Sequence, residues 1–386
     1  MWIERNIQDH IKKIKDKFPV ILITGARQVG KTSILKHLFP DLPYITFDDP
    51  LKVAQAENAP SQFLENIQTP IILDEVQYVK DLFRYIKIYV DQQSDKTHFF
   101  LTGSQQFSMM QNVSESLSGR IHILEMNTLS YEEASRENTS LQLYDFILQG
   151  GYPGVYKKNI LPNEFFPSYV STYLERDVRN ILNIRDLRDF SIFLRLLATY
   201  SGQILNMSNL SRDLGKTNST VKSWISVLIG SGIVRLLEPY YCNHGKRLTK
   251  SPKLYFMDTG LLCYLLGITN TDSLLRSPFK GAIWETFCFI SLVSYFNHRG
   301  IPNPPLWFWR DSTKREVDFL IEENQQVRLF ESKFKERVDA HDAQNMVYWK
   351  EKVASNQEVL MQIMAPVREA YPVLPEVWAD YRFVGS

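Results

Sequence analysis

Gly25-Ala26-Arg27-Gln28-Val29-Gly30-Lys31-Thr32 fits the pattern GxxxxGK[ST]. The two glycines let the backbone wrap closely around an anion, and the successive amides and the N-terminus of a following helix favour phosphate. The cradle is expected to run through Gly25, Ala26, Arg27, Gln28, Val29, Gly30, Lys31, Thr32 and Ser33. Lys31 should reach the β- and γ-phosphates of a nucleotide, and the Thr32 hydroxyl should ligate Mg²⁺. ATP and Mg²⁺ are therefore the expected ligands. The flanks agree. Pro19-Val20-Ile21-Leu22-Ile23-Thr24 is a nearly continuous apolar run, as a strand buried on both faces of a parallel sheet reads. Thr32-Ser33-Ile34-Leu35-Lys36-His37-Leu38 follows at helical period.

Further strand-like runs are Tyr44-Ile45-Thr46-Phe47, Ile71-Ile72-Leu73, residues 97–102 and residues 120–126, with helical stretches between them. That alternation predicts a parallel α/β sheet of the P-loop type. Ile71-Ile72-Leu73-Asp74-Glu75 ends in two carboxylates. Asp74 is expected to hold Mg²⁺ from its outer shell, and Glu75 to polarise the attacking water. Leu101-Thr102-Gly103-Ser104 ends the next strand, so Ser104 or Thr102 could orient water; an ordinary strand-to-turn exit fits equally well. Phosphoryl transfer also gains from a cation at the γ-phosphate. Arg120 is the first candidate and Arg176 the second, although each also reads as a surface or salt-bridge arginine. The expected catalytic set is thus Lys31, Glu75, Ser104 and Arg120.

From about residue 140 to 240 the pattern turns mostly helical. Ser208 to Leu214 reads as a short helix with Ser208 as N-cap, ended by Gly215. Asn218 or Ser219 then caps a second helix with Val221, Trp224, Ile225 and Leu228 on one face. Strand patterns near 233–237 and 253–257 complete a winged helix-turn-helix. Thr217, Ser219, Thr220, Lys222 and Ser223 on its exposed face suit phosphates and base edges, and the basic run Lys246 to Lys253 could form a wing on a DNA backbone. The same pattern also serves as a protein-packing module.

Nearer the C-terminus, Glu285 lies in a long helix, Asp318 in the strand Arg315 to Ile321, and Glu331-Ser332-Lys333 ends the next strand. Period two places Glu331 and Lys333 on one face. This is the D…ExK arrangement of a restriction-endonuclease-like α/β core. There, carboxylates hold Mg²⁺ or Mn²⁺ and the lysine orients water for phosphodiester cleavage. The expected metal ligands are Asp318 and Glu331, and the expected nuclease site is Glu285, Asp318, Glu331 and Lys333. A salt-bridge cluster without catalysis fits the same residues.

The 386 residues suggest two or three domains. The reading divides them into 1–140 (P-loop domain), 141–270 (helical region with helix-turn-helix) and 271–386 (endonuclease-like domain). Basic and acidic residues number 44 and 43, for a net charge of +1. That excludes a globally basic surface, so any nucleic-acid contact must belong to one domain. Cys242, Cys263 and Cys288 form no CxxC pair, so neither a disulfide framework nor a zinc site is expected. The start is charged rather than signal-like, and no stretch of ~18 apolar residues occurs. A cytoplasmic protein with no membrane partner is the expectation.

Taken together, residues 24–32, Leu73-Asp74-Glu75-Val76-Gln77, Leu101-Thr102-Gly103-Ser104 and Ser118-Gly119-Arg120 resemble a known family. Gly150-Gly151-Tyr152-Pro153, Glu175-Arg176-Asp177-Val178 and Lys253-Leu254-Tyr255-Phe256-Met257-Asp258-Thr259-Gly260-Leu261 extend the likeness over nearly the whole chain. The family is the bacterial and archaeal AAA-type ATPases with an N-terminal AAA domain and a C-terminal DUF4143 region. The resemblance implies an AAA-like ATPase core, a winged helix and an endonuclease-like terminal domain, and implies no particular substrate. The chain departs from the common AAA pattern where Ser104 stands in place of a sensor asparagine. The functional expectation is Mg²⁺-dependent ATP hydrolysis coupled to a DNA-binding or nuclease-like C-terminal half. The rivals are a nucleotide-dependent switch that binds DNA or a protein partner without nuclease chemistry, and a homo-oligomeric ATPase that remodels protein.

Overall fold

The structure, a computed structural model, describes residues 2–93, 96–104, 116–174, 187–240, 251–354 and 357–382. Its first sheet is built from the apolar runs: β1 (Val20–Thr24), β2 (Tyr44–Thr46), β3 (Ile71–Asp74), β4 (Phe99–Thr102) and β5 (Ile121–Glu125). All pairings are parallel, in the order β2-β3-β4-β1-β5. Every residue of β1, β3 and β4 is buried, as continuous apolar strands covered on both faces require. Because β1 lies between β4 and β5, the loop that leaves it opens mid-sheet at the carboxyl edge, where open α/β sheets take their ligands.

After the short helices Pro153–Lys158 and Pro162–Tyr169, the middle unit runs helix Leu187–Ala198, β6 (Gln203–Ile204), helices Met207–Leu214 and Asn218–Gly230, β7 (Val234–Leu237) and β8 (Lys253–Phe256). The three strands form an antiparallel sheet in the order β6-β8-β7. The two adjacent helices start at other caps than expected. Asn206 rather than Ser208 accepts the Asn209 amide at 3.0 Å, and Thr217 rather than Asn218 or Ser219 accepts the Thr220 amide at 3.2 Å. Gly215 closes the first helix at φ 67°, in the left-handed region that favours glycine. Val221, Trp224, Ile225 and Leu228 are buried as expected, with Trp224 edge-on to Phe190 and Phe193 at 5.6 and 5.1 Å.

The last unit combines helix Lys280–Asn297 with β9 (Leu306–Arg310), β10 (Glu316–Glu323), β11 (Gln326–Ser332), β12 (Glu358–Met364), β13 (Tyr371–Leu374) and β14 (Val377–Ala379). The sheet order is β13-β14-β12-β11-β10-β9. The β9-β10-β11 pairings are antiparallel, β11-β12 and β12-β14 parallel, and helix Gln344–Lys352 lies in the crossover from β11 to β12. One apolar core joins the three units, running from Ile11 and Ile23 through Trp224 and Leu254 to Phe289, Phe319 and Phe330.

Candidate nucleotide site and the carboxylate cluster

The loop after β1 has the shape that its sequence demands. Gly25 sits at φ 140°, and a Cβ there would collide with the Met126 carbonyl oxygen. Gly30, at φ 100°, begins the Lys31–Leu38 helix with no side-chain cap, leaving the first-turn amides to an anion. The Lys31 ammonium is buried and donates to the carbonyls of Gly25 (3.1 Å) and Ala26 (2.8 Å). Thr32 donates its hydroxyl to Asp74 at 2.6 Å, so the two expected metal-holding groups, one from the helix after β1 and one from the end of β3, meet beyond the end of β4. Two further hydroxyls, of Tyr44 (2.7 Å) and Thr102, also donate to Asp74. Burial and then this bond to Asp74 raise the Tyr44 phenol above its ordinary pKa. Tyr44 escaped the sequence reading, although it lies on the strand beside β3, two residues from the Thr46–Asp74 register pair. Compact oxygen donors of this kind suit Mg²⁺.

Glu75 holds a left-handed backbone (φ 58°), donates its amide to Thr102 at 3.3 Å and accepts from the Gln77 side chain. The Ser104 hydroxyl is buried and has no partner among the described residues. A cavity of about 540 Å³ is lined by Gly30, Lys31, Thr32, Ser33 and Glu75 together with Pro153, Gly154, Lys157 and Lys158. Its volume falls in the range of small-molecule sites. Lys157 and Lys158 give this cavity cations that local spacing did not reveal, because they arrive on a later segment of the chain.

Arg120 is elsewhere. It precedes β5, its carbonyl accepts from the amide of Val20 at the start of β1, and its guanidinium pairs with Asp91 on the surface. In a parallel sheet this is the amino edge, a strand length or ~15 Å from the phosphate loop. Within one chain Arg120 therefore does not meet the γ-phosphate. Arg176 lies outside the described residues, as do residues 246–250 of the expected wing.

Behind the loop, buried Arg5 donates to the carbonyls of Val29 (2.9 Å) and Asn127 (2.8 Å) and pairs with Glu133 at 3.2 Å. Burial alone would raise the Glu133 carboxyl, but Arg5 beside it holds it below its ordinary range. On the other flank, a Cβ on Gly232 would lie 3.1 Å from the Ala26 amide nitrogen, so the turn between helix Asn218–Gly230 and β7 sits directly on the loop. Arg235 on β7 pairs with Glu125 on β5 at 3.3 Å and donates to the Pro302 carbonyl at 2.6 Å, touching all three units.

In the last unit, Asp318 and Glu331 stand one residue beyond the Phe319–Phe330 cross-strand pair. Asp318 accepts from the Ser332 amide and hydroxyl, both at 2.8 Å, and Glu331 accepts from Lys333 at 2.7 Å. The occupant of the cluster is Lys253. Its ammonium lies 2.8 Å from Glu285, 2.5 Å from Glu316 and 3.5 Å from Asp318. Expected on an exposed basic wing, Lys253 is instead 2% exposed, because β8 turns it toward these carboxylates. Burial pushes the Glu285 carboxyl up to about 7, against the opposing pull of Lys253. Burial and then Asp318 likewise raise Glu331. The structure brings Glu285, Asp318, Glu331 and Lys333 into one neighbourhood. Yet no group of three or more His, Cys, Asp or Glu side chains among the described residues is arranged to hold a metal.

A glycine-wrapped phosphate loop at the carboxyl edge of a parallel sheet, with a hydroxyl–aspartate pair on the neighbouring elements, defines a P-loop domain of the ATPase type. Comparison with known proteins agrees: an AAA domain model matches residues 17–135, and models of two domains of unknown function, DUF8612 and DUF4143, match residues 140–272 and 280–373. The uncharacterised proteins Rv2008c of Mycobacterium tuberculosis and Mb2031c of Mycobacterium bovis are each 31% identical over 327 residues, covering 83% of this chain and 72% of theirs. The chain belongs to this family, in which an N-terminal AAA domain is joined to a C-terminal DUF4143 region. Among solved structures it is similar to the Walker-type ATPase PABY2304 of Pyrococcus abyssi (TM-score 0.45, 15% identity, 68% of this chain and 96% of that one). A RuvB variant of Thermotoga maritima is more distant (TM-score 0.31, 16% identity, 60% and 88%). No helix among the described residues is long and apolar enough to cross a membrane.

Proposed function

We propose that this protein is a Mg²⁺-dependent ATP hydrolase whose nucleotide state is passed to a nucleic-acid-binding C-terminal half. The observation that carries the first part is the cavity lined by Lys31, Thr32, Glu75, Lys157 and Lys158, with the Thr32 hydroxyl bonded to Asp74. Lys31 exchanges its loop carbonyls for the β- and γ-phosphates. Thr32 and, from the outer shell, Asp74 would hold Mg²⁺, which when bound would supply positive charge beside the phosphates. Glu75 polarises the attacking water and the Ser104 hydroxyl orients it. Lys157 and Lys158 supply the in-chain cation that Arg120 cannot.

The coupling follows from contact. The loop that grips phosphate touches Gly232, and β7 continues from there into the β7-β8 pair. A shift at Ala26 is thus felt by the middle unit, which we read as a winged helix exposing Thr217, Ser219 and Lys222 to DNA. A second reading, a nucleotide switch without nuclease chemistry, is favoured by the ammonium of Lys253 among Glu285, Glu316 and Asp318.

The test is phosphate release by the full chain with Mg²⁺, with and without DNA, beside Lys31→Ala. Turnover that disappears in Lys31→Ala and rises with DNA is expected. No turnover in the wild type would overturn the hydrolase. Turnover indifferent to DNA would keep the hydrolase and remove nucleic acid as its partner.

A further inference from the structure

The nucleotide chemistry makes no use of Lys253, yet it is among the most elaborately held side chains in the molecule. Three carboxylates converge on its ammonium, two from β10 (Glu316 and Asp318) and one from helix Lys280–Asn297 (Glu285). Three acceptors match the three protons of an ammonium. Two residues along β8, on the same face, Tyr255 donates its hydroxyl to Glu285 at 2.6 Å and stacks on Phe289 at 4.2 Å. Ser201 pins the strand by accepting the Phe256 amide at 3.2 Å, and its hydroxyl meets Thr286, the neighbour of Glu285, at 2.9 Å. The lysine is therefore delivered by a strand fastened to the same helix that carries its acceptor.

The cluster is close to electroneutral without any added ion. Glu285, Glu316, Asp318 and Glu331 face Lys253, Lys333 and Arg310, the last paired with Glu316 at 3.2 Å. A buried divalent cation would need the oxygens that now hold the ammonium, and placing it beside Lys253 would leave positive charge uncompensated. One oxygen is spare: Oε2 of Glu331 is buried with no partner among the described residues.

We propose that Lys253 is the resident cation of the C-terminal carboxylate cluster, standing where a divalent metal would sit. The native cluster then takes no metal, and removing the ammonium opens a divalent-cation site at the carboxylates that hold it, Glu285, Glu316 and Asp318. This holds whether or not the P-loop hydrolyses ATP, so its failure would leave the hydrolase reading intact.

The experiment is Mn²⁺ binding to the nucleotide-free full chain, read from the loss of the free-ion electron paramagnetic resonance signal. Wild type, Asp318→Asn, Lys253→Met and Lys253→Met/Asp318→Asn are compared. Lys253→Met should gain a Mn²⁺ site about 10-fold or more tighter than any in the wild type, and the added Asp318→Asn should abolish it. Wild-type Mn²⁺ binding that Asp318→Asn removes would overturn the proposal, and so would a folded Lys253→Met with no new site. Should Lys253→Met fail to fold, Lys253→Gln, which loses the charge but keeps a hydrogen-bond donor for the carboxylates, takes its place. Should that fail too, the wild-type and Asp318→Asn arms decide alone: no Asp318-dependent binding supports the proposal.

Discussion

Lys157, Lys158 and Arg120 show how a side chain's worth depends on which edge of a sheet it reaches. The Lys157→Ala/Lys158→Ala variant should lower kcat/KM for ATP by about 10-fold or more, ~1.4 kcal/mol of transition-state stabilisation. Arg120→Ala should stay within about 2-fold of wild type, since it loses only exposed contacts, a pair with Asp91 and a bond to the Ser118 carbonyl. Steady-state phosphate release with each variant checks both. Lys31 and Thr32 were read from a loop motif fixed by neighbours in sequence, and Asp74 from an apolar strand that ends in two carboxylates. Lys157 was not, because it comes to the cavity only when a later helix folds back. Arg120 was misplaced for a reason visible in hindsight: a residue before a parallel strand stands at the amino edge, and phosphate is bound at the carboxyl edge. Glu285 gives a prediction in pH. Its folded-state pKa of about 7 exceeds its ordinary 4.5, so its contribution to stability is full below about 4.5 and is lost as pH rises through 7. Wild-type stability should therefore fall relative to Glu285→Gln as pH rises across that window. Parallel urea-unfolding curves at pH 5 and 7 would contradict it.

Among the elements, the helix pair Met207–Leu214 and Asn218–Gly230 was readable from its apolar period, but its caps were not. Asn206, Ser208, Thr217, Asn218 and Ser219 are all good caps, and local preference cannot rank them. The surrounding fold chooses, by setting which of them takes an extended backbone. Strand β8 was legible as a strand, while the direction of Lys253 was hidden. A lysine closing a basic run reads as solvated, and its acceptors lie 32 to 65 residues away. Trp224 anchors the second helix between Phe190 and Phe193. Trp224→Ala should cost about 3–5 kcal/mol in chemical denaturation, the usual loss for emptying a buried aromatic site.

For the whole molecule, the loop that binds phosphate and the turn at Gly232 form one contact. Gly232 has φ 70° and a would-be Cβ 3.1 Å from the Ala26 nitrogen, so a side chain there must displace the loop. Gly232→Val should weaken ATP binding by about 10-fold or more, although residue 232 is far from the loop in sequence. Calorimetric titration of ATP into the variant tests this, and unchanged affinity would break the proposed route between the units.

Sequence families divide this chain near residues 140 and 275, but one of the apolar cores among the described residues runs across both borders. A gene fragment ending at residue 272 would strand the ammonium of Lys253 without its acceptors and bare the ring of Tyr255. Such a fragment should precipitate rather than behave as an autonomous module. Recombination at these borders should likewise be productive only when the exchanged segment brings its own version of Glu285, Glu316 and Asp318, so that the three parts are inherited together.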